Sequence, residues 1–346
     1  GLLIESQSTN YNTKSEDIAG WSTPSNMTVS ASAMVAPNGT LTADVLTVSD
    51  DTVASGHFAY RASSDGTSGQ TVAASFFAKT AGVNHIYFYD ANTANAGADS
   101  VSIFDLNNGT IGGTNAPNCK MIDCGNGWWR CVSVYTLTGA GTSLRFYTTD
   151  NGSTTTYIGN GFDGFGLWGV QVEIGVSSES SYISTSGSTV SRASDSCSVD
   201  SATLFDNGGG TLYAEARRNG IDTYNGIASV DDGTGSGDIV QIFGNSTNFR
   251  AEIASGGTTV ANIMASGHSA GVYYKHCVSF SSSAAKYYVD GSQKASTDTD
   301  LNIPSMSQMH LGMLNAATSG NLNGHIKRVA LYNVALSDTE LQAITS

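Results

Sequence analysis

Short segments rich in Val, Ile, Thr, Phe and Tyr recur along the chain from residue 41 onward, and turn residues separate them. Examples are TVAASFFAKT, HIYFYD and SLRFYTT in the first half, and DIVQIFG and VYYKHCVSF in the second. β-branched and aromatic residues favour strands, while the intervening GNG and DNGS clusters suit turns because Asn and Gly tolerate positive φ. This pattern predicts an all-β fold built from many short strands.

Two local signals sharpen this prediction. Asp290-Gly291 in YYVDGSQK is typical of a type I′ hairpin turn between two strands. In LSDTELQAI, Ser337 and Glu340 form a capping box ahead of an apolar stripe of Leu336, Leu341 and Ile344, which predicts a short C-terminal helix. A Ser/Thr-rich connecting segment, SYISTSGSTVSRASDS, separates two series of predicted strands. We therefore expect two β-sandwich (jelly-roll) domains in tandem, residues 1–195 and 196–346.

Length and charge bound the function. The chain has 346 residues, more than one typical domain, and it is rich in glycine and poor in proline (40 and 4). Its formal net charge of −14 argues against nucleic acid and anionic membrane surfaces as partners. No apolar run approaches the roughly 20 residues of a transmembrane helix, so membrane insertion is not expected. The chain starts at Gly1 without a signal-like segment, so we expect a processed or truncated piece of a larger protein.

The five cysteines do not predict a metal site. Cys119, Cys124 and Cys131 cluster, but their spacing is not that of a zinc site. Cys131 and Cys277 lie in strand-like runs, where buried free thiols are expected. A disulfide between Cys119 and Cys124 stays open as the less favoured alternative.

Motifs for catalysis lack the context they need. The GHSAG segment around Ser269 has the G-x-S-x-G pattern, which requires a preceding strand and a following helix in a parallel α/β sheet. The strand-like VYYKHCVSF follows instead, so we predict a hairpin loop. No E-x-D-x-x-E strand supplies the paired carboxylates of a glycosidase. His276 and His325 lie in predicted strands and are interpreted as structural. The chain is therefore predicted not to be an enzyme.

The first half resembles modules of phage tail and appendage proteins. The resemblance rests on the segments GLLIESQSTNYNTKSEDIAGW, VAPNGTLTADVL, ASFFAKTAG, GNGWWRCVSV and LWGVQVEIGVSSESSYISTSGSTVSRASD. They occur in the family's order over residues 1 to about 195. Ser8 and Ser184 replace the family's usual Arg and Pro, which puts in doubt the interface that those segments make. The resemblance implies a jelly roll like that of carbohydrate-binding modules.

The second half resembles laminin-G and concanavalin A-like sandwiches through VYYKHCVSF, KYYVDGSQ and GHIKRVALYNVALSDTELQAI. Such folds bind glycans or proteins, and some members hold calcium or carry hydrolase activity; the fold alone does not choose among these. A calcium site at Asp231, Asp232 and Asp238 is an alternative to a solvated turn, since hard cations prefer several oxygen ligands. No other cofactor is expected.

Aromatic residues decide where a sugar could bind. We expect Trp128 to be structural and Trp168 to be interior, on one strand face with Val170 and Val172. Stacking on a pyranose needs exposed rings, and arginine can bond hydroxyl groups. The glycan-binding candidates are Trp129, Arg145 and Tyr147 in the first half, and Tyr224, Phe243 and Arg250 in the second.

These features favour a non-catalytic phage virion appendage protein, fibre-like or spike-like, that binds host-surface glycan at the particle surface. One alternative is a structural or decoration protein of the virion whose sandwiches mediate subunit contacts, and a weaker one is the accessory region of a secreted polysaccharide-degrading enzyme. Host glycan and other virion proteins are the expected partners. We also expect a symmetric homo-oligomer, a trimer, with Leu2–Ile4 packed on the first sandwich or a neighbouring subunit. The alternative is a monomer in which this segment is an edge strand of its own sheet.

Overall fold

Antiparallel β-strands make up most of the chain. The computed structural model describes residues 1–21, 24–93, 101–205, 209–222, 224–233, 237–297, 306–314 and 320–346. The strands in the first half are β1 Leu2–Ile4, β2 Ser8–Asn10, β3 Met27–Val35, β4 Leu41–Val48, β5 Ser55–Gly56, β6 Phe58–Ser63, β7 Thr71–Ala81, β8 His85–Asp90, β9 Ser102–Asp105, β10 Thr110–Gly112, β11 Cys119–Asp123, β12 Trp129–Thr136, β13 Thr142–Thr149, β14 Thr156–Tyr157, β15 Gly164–Ile174 and β16 Val190–Arg192.

The second half continues in the same way and ends in one helix. Its elements are β17 Ser198–Phe205, β18 Gly209–Arg218, β19 Asn225–Asp231, β20 Ile239–Asn245, β21 Asn248–Ser255, β22 Thr258–Ala265, β23 Tyr274–Ser281, β24 Ala285–Val289, β25 Ser292–Thr297, β26 Met306–Leu311, β27 Gly324–Tyr332 and α1 Asp338–Thr345. The all-β prediction with a short C-terminal helix is confirmed.

The chain divides into two compact units, and one is inserted in the sequence of the other. Ser8–Arg192 form the inserted unit, whereas Gly1–Gln7 and Ala193–Ser346 together form the terminal unit, which holds both chain ends. The sequence-based division at residue 195 assigns the first seven residues to the first half. In the structure they lie in the unit of the second half.

The inserted unit contains two facing antiparallel sheets. One has five strands in the order β10-β9-β8-β13-β6, and the other has six in the order β11-β12-β7-β15-β4-β3. Alternate residues of both sheets point into a shared core because side chains change face at every residue of a strand. This core is dominated by fully buried phenylalanines, namely Phe76, Phe88, Phe104, Phe146 and Phe165.

The terminal unit repeats this arrangement with two six-stranded sheets, β1-β27-β18-β23-β24-β25 and β17-β26-β19-β20-β21-β22. Leu212, Val278 and Tyr287 of the first sheet and Ile242 and Phe249 of the second are buried in one common core.

The locally encoded features occur as predicted. Asp290 and Gly291, between β24 and β25, have φ values of +46° and +71°, which is the signature of a type I′ turn. The Ser337 backbone N–H donates to Glu340 Oε2 over 2.8 Å, which completes one arm of the capping box of α1. Leu341 of this helix is fully buried and belongs to a small cluster on the sheet of β23 and β24.

The first strand, β1, belongs to a sheet of the terminal unit, which the sequence did not indicate. β1 pairs antiparallel with β27, with Leu2 opposite Ile326 and Ile4 opposite Gly324. Ile4 is 2% exposed and belongs to the core of the terminal unit. The expectation that Leu2–Ile4 packs on the first sandwich is therefore wrong for this chain, and the segment is an edge strand of the second sandwich.

Trp168 is buried, as predicted, but on the unexpected face of its strand. Gly169 has a φ of +62°, and the pairing of β15 with β7 shifts register between Trp168 and Gln171. This bulge breaks the period of two, so Val170 and Val172 lie in the main core while Trp168 does not. Instead, Trp168 belongs to a small separate cluster on the outer side of the sheet, together with Ala36, Ala43, Phe77 and Trp128.

All five cysteines are unpaired, so the alternative disulfide between Cys119 and Cys124 is not formed. Cys131 and Cys277 are buried thiols, as expected, and burial raises the pKa of Cys277 to about 12. No helix among the described residues is long and apolar enough to cross a membrane.

Candidate functional site

The solvent side of the five-stranded sheet of the inserted unit carries a continuous group of aromatic side chains. In the sheet, Tyr147 lies opposite Phe58 on one side and Tyr87 on the other. Arg145, two residues earlier, lies opposite Tyr60 and Tyr89 in the same way. We call this group the aromatic face; its members are Phe58, Tyr60, Tyr87, Tyr89, Arg145 and Tyr147.

The strand period explains why these residues share one face. Their sequence neighbours Ala59, Phe88 and Phe146 point inward and are buried in the core. The members of the aromatic face are only partly buried. The outer side of an antiparallel sheet is normally polar, so a cluster of five rings on it is unusual. Exposed apolar patches of this kind mark interaction sites.

The rings hold one another in place. Phe58 and Tyr147 stack with centroids 4.5 Å apart, and Tyr89 and Tyr147 are nearly parallel at 5.9 Å. The Arg145 guanidinium carbon lies 5.4 Å from the Phe58 ring centroid and 5.1 Å from that of Tyr60, in cation–π contact. Such a cluster is preorganised, because little side-chain freedom remains to be lost when a ligand binds.

The hydroxyls of Tyr147 and Tyr87 are neutral at physiological pH. Burial, together with a hydrogen bond to Tyr89, raises the pKa of Tyr147 to about 12. Burial also raises the pKa of Tyr87, as does the neighbouring Tyr89. A neutral hydroxyl both donates and accepts hydrogen bonds, which is the pattern that sugar hydroxyls complement.

A pocket continues the aromatic face at one end. His85 stands in strand β8 two residues before Tyr87 and opposite Thr149, and both line a pocket of about 190 Å³. That volume is larger than the space of a single water molecule and suits one small polar group or sugar residue rather than a chain. The lining is mainly polar and includes Asn84, Asp150, Tyr157, Asn160 and Asp163.

A hydrogen-bonded turn borders this pocket. Asn160 Oδ1 accepts hydrogen bonds from the backbone N–H groups of Phe162 and Asp163, and Asn160 Nδ2 donates to Asp163 Oδ2 over 2.8 Å. The turn presents Phe162, which is 85% exposed. Along β8 the distance from Tyr89 to His85 is about 14 Å, at about 3.4 Å per residue. Face and pocket together therefore offer an extended surface with rings at one end and carboxylate and amide groups at the other.

Two of the three first-half candidates lie on this surface. Arg145 and Tyr147 are central to the aromatic face, but Trp129 is on β12 of the other sheet. Its ring packs against the core, and its Nε1 donates to the Leu106 carbonyl over 2.9 Å. Phe58, Tyr60, Tyr87 and Tyr89 were missed. The alternation in HIYFYD predicts that Tyr87 and Tyr89 share one side of their strand. It does not predict that a strand sixty residues away lies beside them.

The three second-half candidates come together in the terminal unit. Phe243 of β20 lies opposite Arg250 of β21, and the Tyr224 ring stacks on Phe243 with centroids 6.1 Å apart. Phe243 is buried, so Tyr224, at 52% exposure, is the ring available to a ligand. Tyr224 has a φ of +75°, a strained value for a non-glycine residue that often accompanies a functional role.

The three aspartates of the predicted calcium site have other contacts. Asp231 is buried with its Oδ2 3.0 Å from His310 Nε2, and Asp238 Oδ1 accepts from the Gly256 backbone N–H over 2.7 Å. The backbone N–H of Asp232 donates to the Asp238 carbonyl. Within the described ranges, no group of three or more His, Cys, Asp and Glu side chains could hold a metal ion. Residues 234–236 of this loop lie outside the described residues, and calcium binding stays a prediction.

Ser269 lies in the loop that joins β22 to β23 and is exposed. The prediction that it lies between strands is confirmed, although β22 and β23 belong to different sheets and do not form a hairpin. Its backbone N–H donates to the Tyr274 hydroxyl over 3.1 Å. The strained strand-to-helix turn of a nucleophilic serine is therefore missing here.

Asp51, Ser55 and His57 form a cluster of the residue types found in a catalytic triad. The sequence did not single it out, and its geometry also differs from that of a triad. Asp51 Oδ2 lies 2.5 Å from Ser55 Oγ and 2.6 Å from His57 Nε2. The carboxylate thus stands between serine and histidine, whereas a triad needs the imidazole between serine and carboxylate. His57 is fully buried, which fits a structural link near the start of β6.

The comparisons with known proteins bear on the terminal unit first. Residues 191–342 match the family model described as the Concanavalin A-like lectin/glucanases superfamily. This part of the chain is similar in sequence to members of that superfamily. No curated protein is significantly similar to the chain in sequence.

Three solved structures show distant likeness to the chain. One is the carbohydrate-binding module CBM40 of the Ruminococcus gnavus IT-sialidase bound to α2,3-sialyllactose, with 14% identity, 43% of this chain and 98% of that chain covered, and a TM-score of 0.36. Another is the leech intramolecular trans-sialidase complexed with 2,7-anhydro-Neu5Ac, with 13% identity, coverage of 43% and 27%, and a TM-score of 0.35. A third is the receptor-binding domain of botulinum neurotoxin mosaic serotype C/D, with 9% identity, coverage of 40% and 36%, and a TM-score of 0.33.

Proposed function

We propose that this protein is a non-catalytic glycan-binding protein and that the aromatic face of the inserted unit is its main binding surface. The observation that carries the proposal is the set of five partly buried rings, held in fixed contact around Arg145 on the solvent side of one sheet. Aromatic rings contact the C–H faces of pyranoses, and neutral hydroxyls with a guanidinium bond the sugar oxygens.

The adjoining pocket suggests which sugars bind. Asp150 and Asp163 in its lining accept hydrogen bonds from hydroxyl groups and repel anionic substituents. We therefore expect a neutral, hydroxyl-rich sugar residue at the pocket end and ring contacts along β8 and β13. The terminal unit offers a second, smaller surface at Tyr224, and the match of residues 191–342 to lectins and glucanases supports sugar binding there as well.

The biological setting is part of the same proposal. The resemblance of residues 1–195 to phage tail and appendage modules supports a fibre-like or spike-like protein at the virion surface that binds host-surface glycan as a homotrimer. The competing hypothesis, a structural virion protein, assigns the aromatic face to subunit contacts instead. An accessory region of a polysaccharide-degrading enzyme would bind glycan through the same face.

The proposal is tested by screening the full chain on a glycan array and then measuring affinity for the best ligand. We expect Tyr147→Ala and Tyr87→Ala each to weaken binding at least tenfold, about 1.4 kcal/mol, because each removes a ring from the centre of the face. Tyr273→Ala, in the terminal unit, is the matched control and should leave this binding unchanged. Unaltered affinity in both face variants, with unchanged melting curves, would refute the assignment.

Two further measurements separate the alternatives. Incubation with the bound glycan should release no new reducing ends, and a serine-reactive probe should leave Ser269 unlabelled, because its loop lacks the nucleophile geometry. Labelling that disappears in Ser269→Ala would contradict the non-catalytic assignment. If the array shows no ligand and the face variants instead change the oligomeric state in light scattering, the structural role is correct.

A further inference from the structure

Arg218, the last residue of β18, is buried inside the terminal unit. It is 1% exposed, and its Nε, Nη1 and Nη2 atoms have no hydrogen-bond partner among the residues that the structure describes. Its guanidinium carbon lies 4.5 Å from the centroid of the Phe249 ring. A cation–π contact returns only part of the cost of removing a full charge from water, so this charge needs a further partner.

Two histidines surround the same phenylalanine. The rings of His268 and His276 each lie 4.4 Å from Phe249, in edge-on contact, and 6.5 Å from one another. His268 Nδ1 and His276 Nε2 are buried and, like the guanidinium, lack a partner among the described residues, although the His268 ring also interacts with the Ala265 backbone. Three basic side chains thus bring unpartnered nitrogen atoms to one region of the interior.

The hydrogen bond between His276 and Tyr287 leaves His276 Nε2 available as a donor. Its Nδ1 lies 2.9 Å from the hydroxyl of Tyr287, which is fully buried and is not ionised because burial raises its pKa well above the usual range. When this hydroxyl donates to Nδ1, the neutral imidazole carries its hydrogen on Nε2. The site then combines one guanidinium with a neutral N–H donor.

The nearby acids do not neutralise Arg218 by hydrogen bonding. Asp222 interacts with it electrostatically without a hydrogen bond to the guanidinium. Asp290, which interacts with His268, accepts a hydrogen bond from the Lys275 backbone N–H over 2.9 Å at the hairpin turn. The Arg218 guanidinium therefore has no hydrogen-bonded counter-charge among the described residues.

We propose that Arg218, His268 and His276 bind a small inorganic anion of the chloride class inside the terminal unit. The guanidinium is closely packed, since a Cβ built on Gly244 would lie only 2.4 Å from Arg218 Nη1 and the Phe249 ring covers one side, so an anion beside it has to be small. The anion would join β18 and β23 of one sheet to the loop before β23. Its role is structural and independent of the proposed glycan binding.

The test is thermal unfolding of the full chain in sodium gluconate, chloride or bromide at equal ionic strength. All four tryptophans are in the inserted unit, so a transition seen by circular dichroism but not by tryptophan fluorescence reports the terminal unit. A ligand that binds only the folded state raises its melting temperature with concentration. We expect chloride and bromide to raise the melting temperature of the terminal unit by about 2–4 °C relative to gluconate, and the inserted unit to be unaffected.

Matched variants complete the experiment. Arg218→Met should abolish the halide dependence, whereas Arg217→Met should retain it, because Arg217 lies over Tyr273 instead. If Arg218→Met does not fold, crystals of the unaltered chain soaked in bromide decide the question through an anomalous peak beside Arg218. Equal melting in halide and gluconate together with no bromide peak would overturn the anion site. Glycan-array binding would be unaffected by that result, so the two proposals fail separately.

Discussion

Trp168 is held in a small cluster on the outer side of its sheet, where its ring contacts Phe77 at 5.3 Å and Tyr182 at 4.7 Å. Its Nε1 donates to Thr42 Oγ1 over 3.1 Å. We predict that Trp168→Ala destabilises the inserted unit by about 3–5 kcal/mol, as deletion of a buried large aromatic residue does. Urea unfolding followed by the other three tryptophans measures this. Phe162→Ala, at a ring that is 85% exposed, should change stability by less than about 0.5 kcal/mol.

His276 makes the stability of the terminal unit depend on pH. Burial, with smaller contributions from His268 and Arg218, lowers the pKa of His276 to about 3, below the roughly 6.5 of an unfolded histidine. Below pH 6.5 only the unfolded chain takes up this proton, so stability falls as the pH falls. This one group removes about 1.6 kcal/mol between pH 6.5 and 5.

His276→Gln should reduce that slope, because the amide bonds Tyr287 without titrating. Denaturant unfolding at several pH values, followed by circular dichroism, compares this variant with the original chain. His85→Gln, in the inserted unit, should leave the slope of the terminal unit unchanged. A slope equal in all three proteins would show that His276 titrates normally in the folded state.

At the scale of elements, substitutions in β1 test which unit the N-terminal segment packs in. Ile4 is buried in the terminal unit and Leu2 is 43% exposed on the same strand. We predict that Ile4→Ala destabilises the terminal unit by about 2–5 kcal/mol and that Leu2→Ala costs less than about 1 kcal/mol. The tryptophan transition, which reports the inserted unit, should not move in either variant. A shift of that transition alone would place the segment on the first sandwich after all.

For the whole molecule, the insertion of one unit in the other predicts that the two can be separated. β2 and β16 pair antiparallel with Ser8 opposite Arg192, so the ends of the inserted unit lie only about 5 Å apart. Residues 8–192 alone should fold cooperatively, and so should residues 193–346 when Gln7 of the first segment is joined to Ala193. The second piece without residues 1–7 should melt at a lower temperature, since it lacks β1. Circular dichroism melts of the three pieces test this.

Part of this structure can be predicted from the sequence because it depends on interactions between residues close together in the chain. The turn at Asp290-Gly291 and the cap of α1 each depend on residues no more than three positions apart, and strand alternation depends on neighbours only. These interactions decide the all-β class and the C-terminal helix without reference to the rest of the chain. Arg145 and Tyr147 could likewise be chosen from one strand.

Contacts between distant segments decided the remainder. The aromatic face exists because β13 pairs with both β6 and β8, and no pattern within one strand specifies its neighbours. The pairing of β1 with β27 joins residues more than three hundred positions apart, so apolar character alone could not show which sandwich Leu2–Ile4 would enter. The bulge at Gly169 places Trp168 on the face of its strand opposite to the one that alternation predicts. Alternation sets which residues share a side of a strand, whereas register, bulges and strand partners follow from packing the whole core.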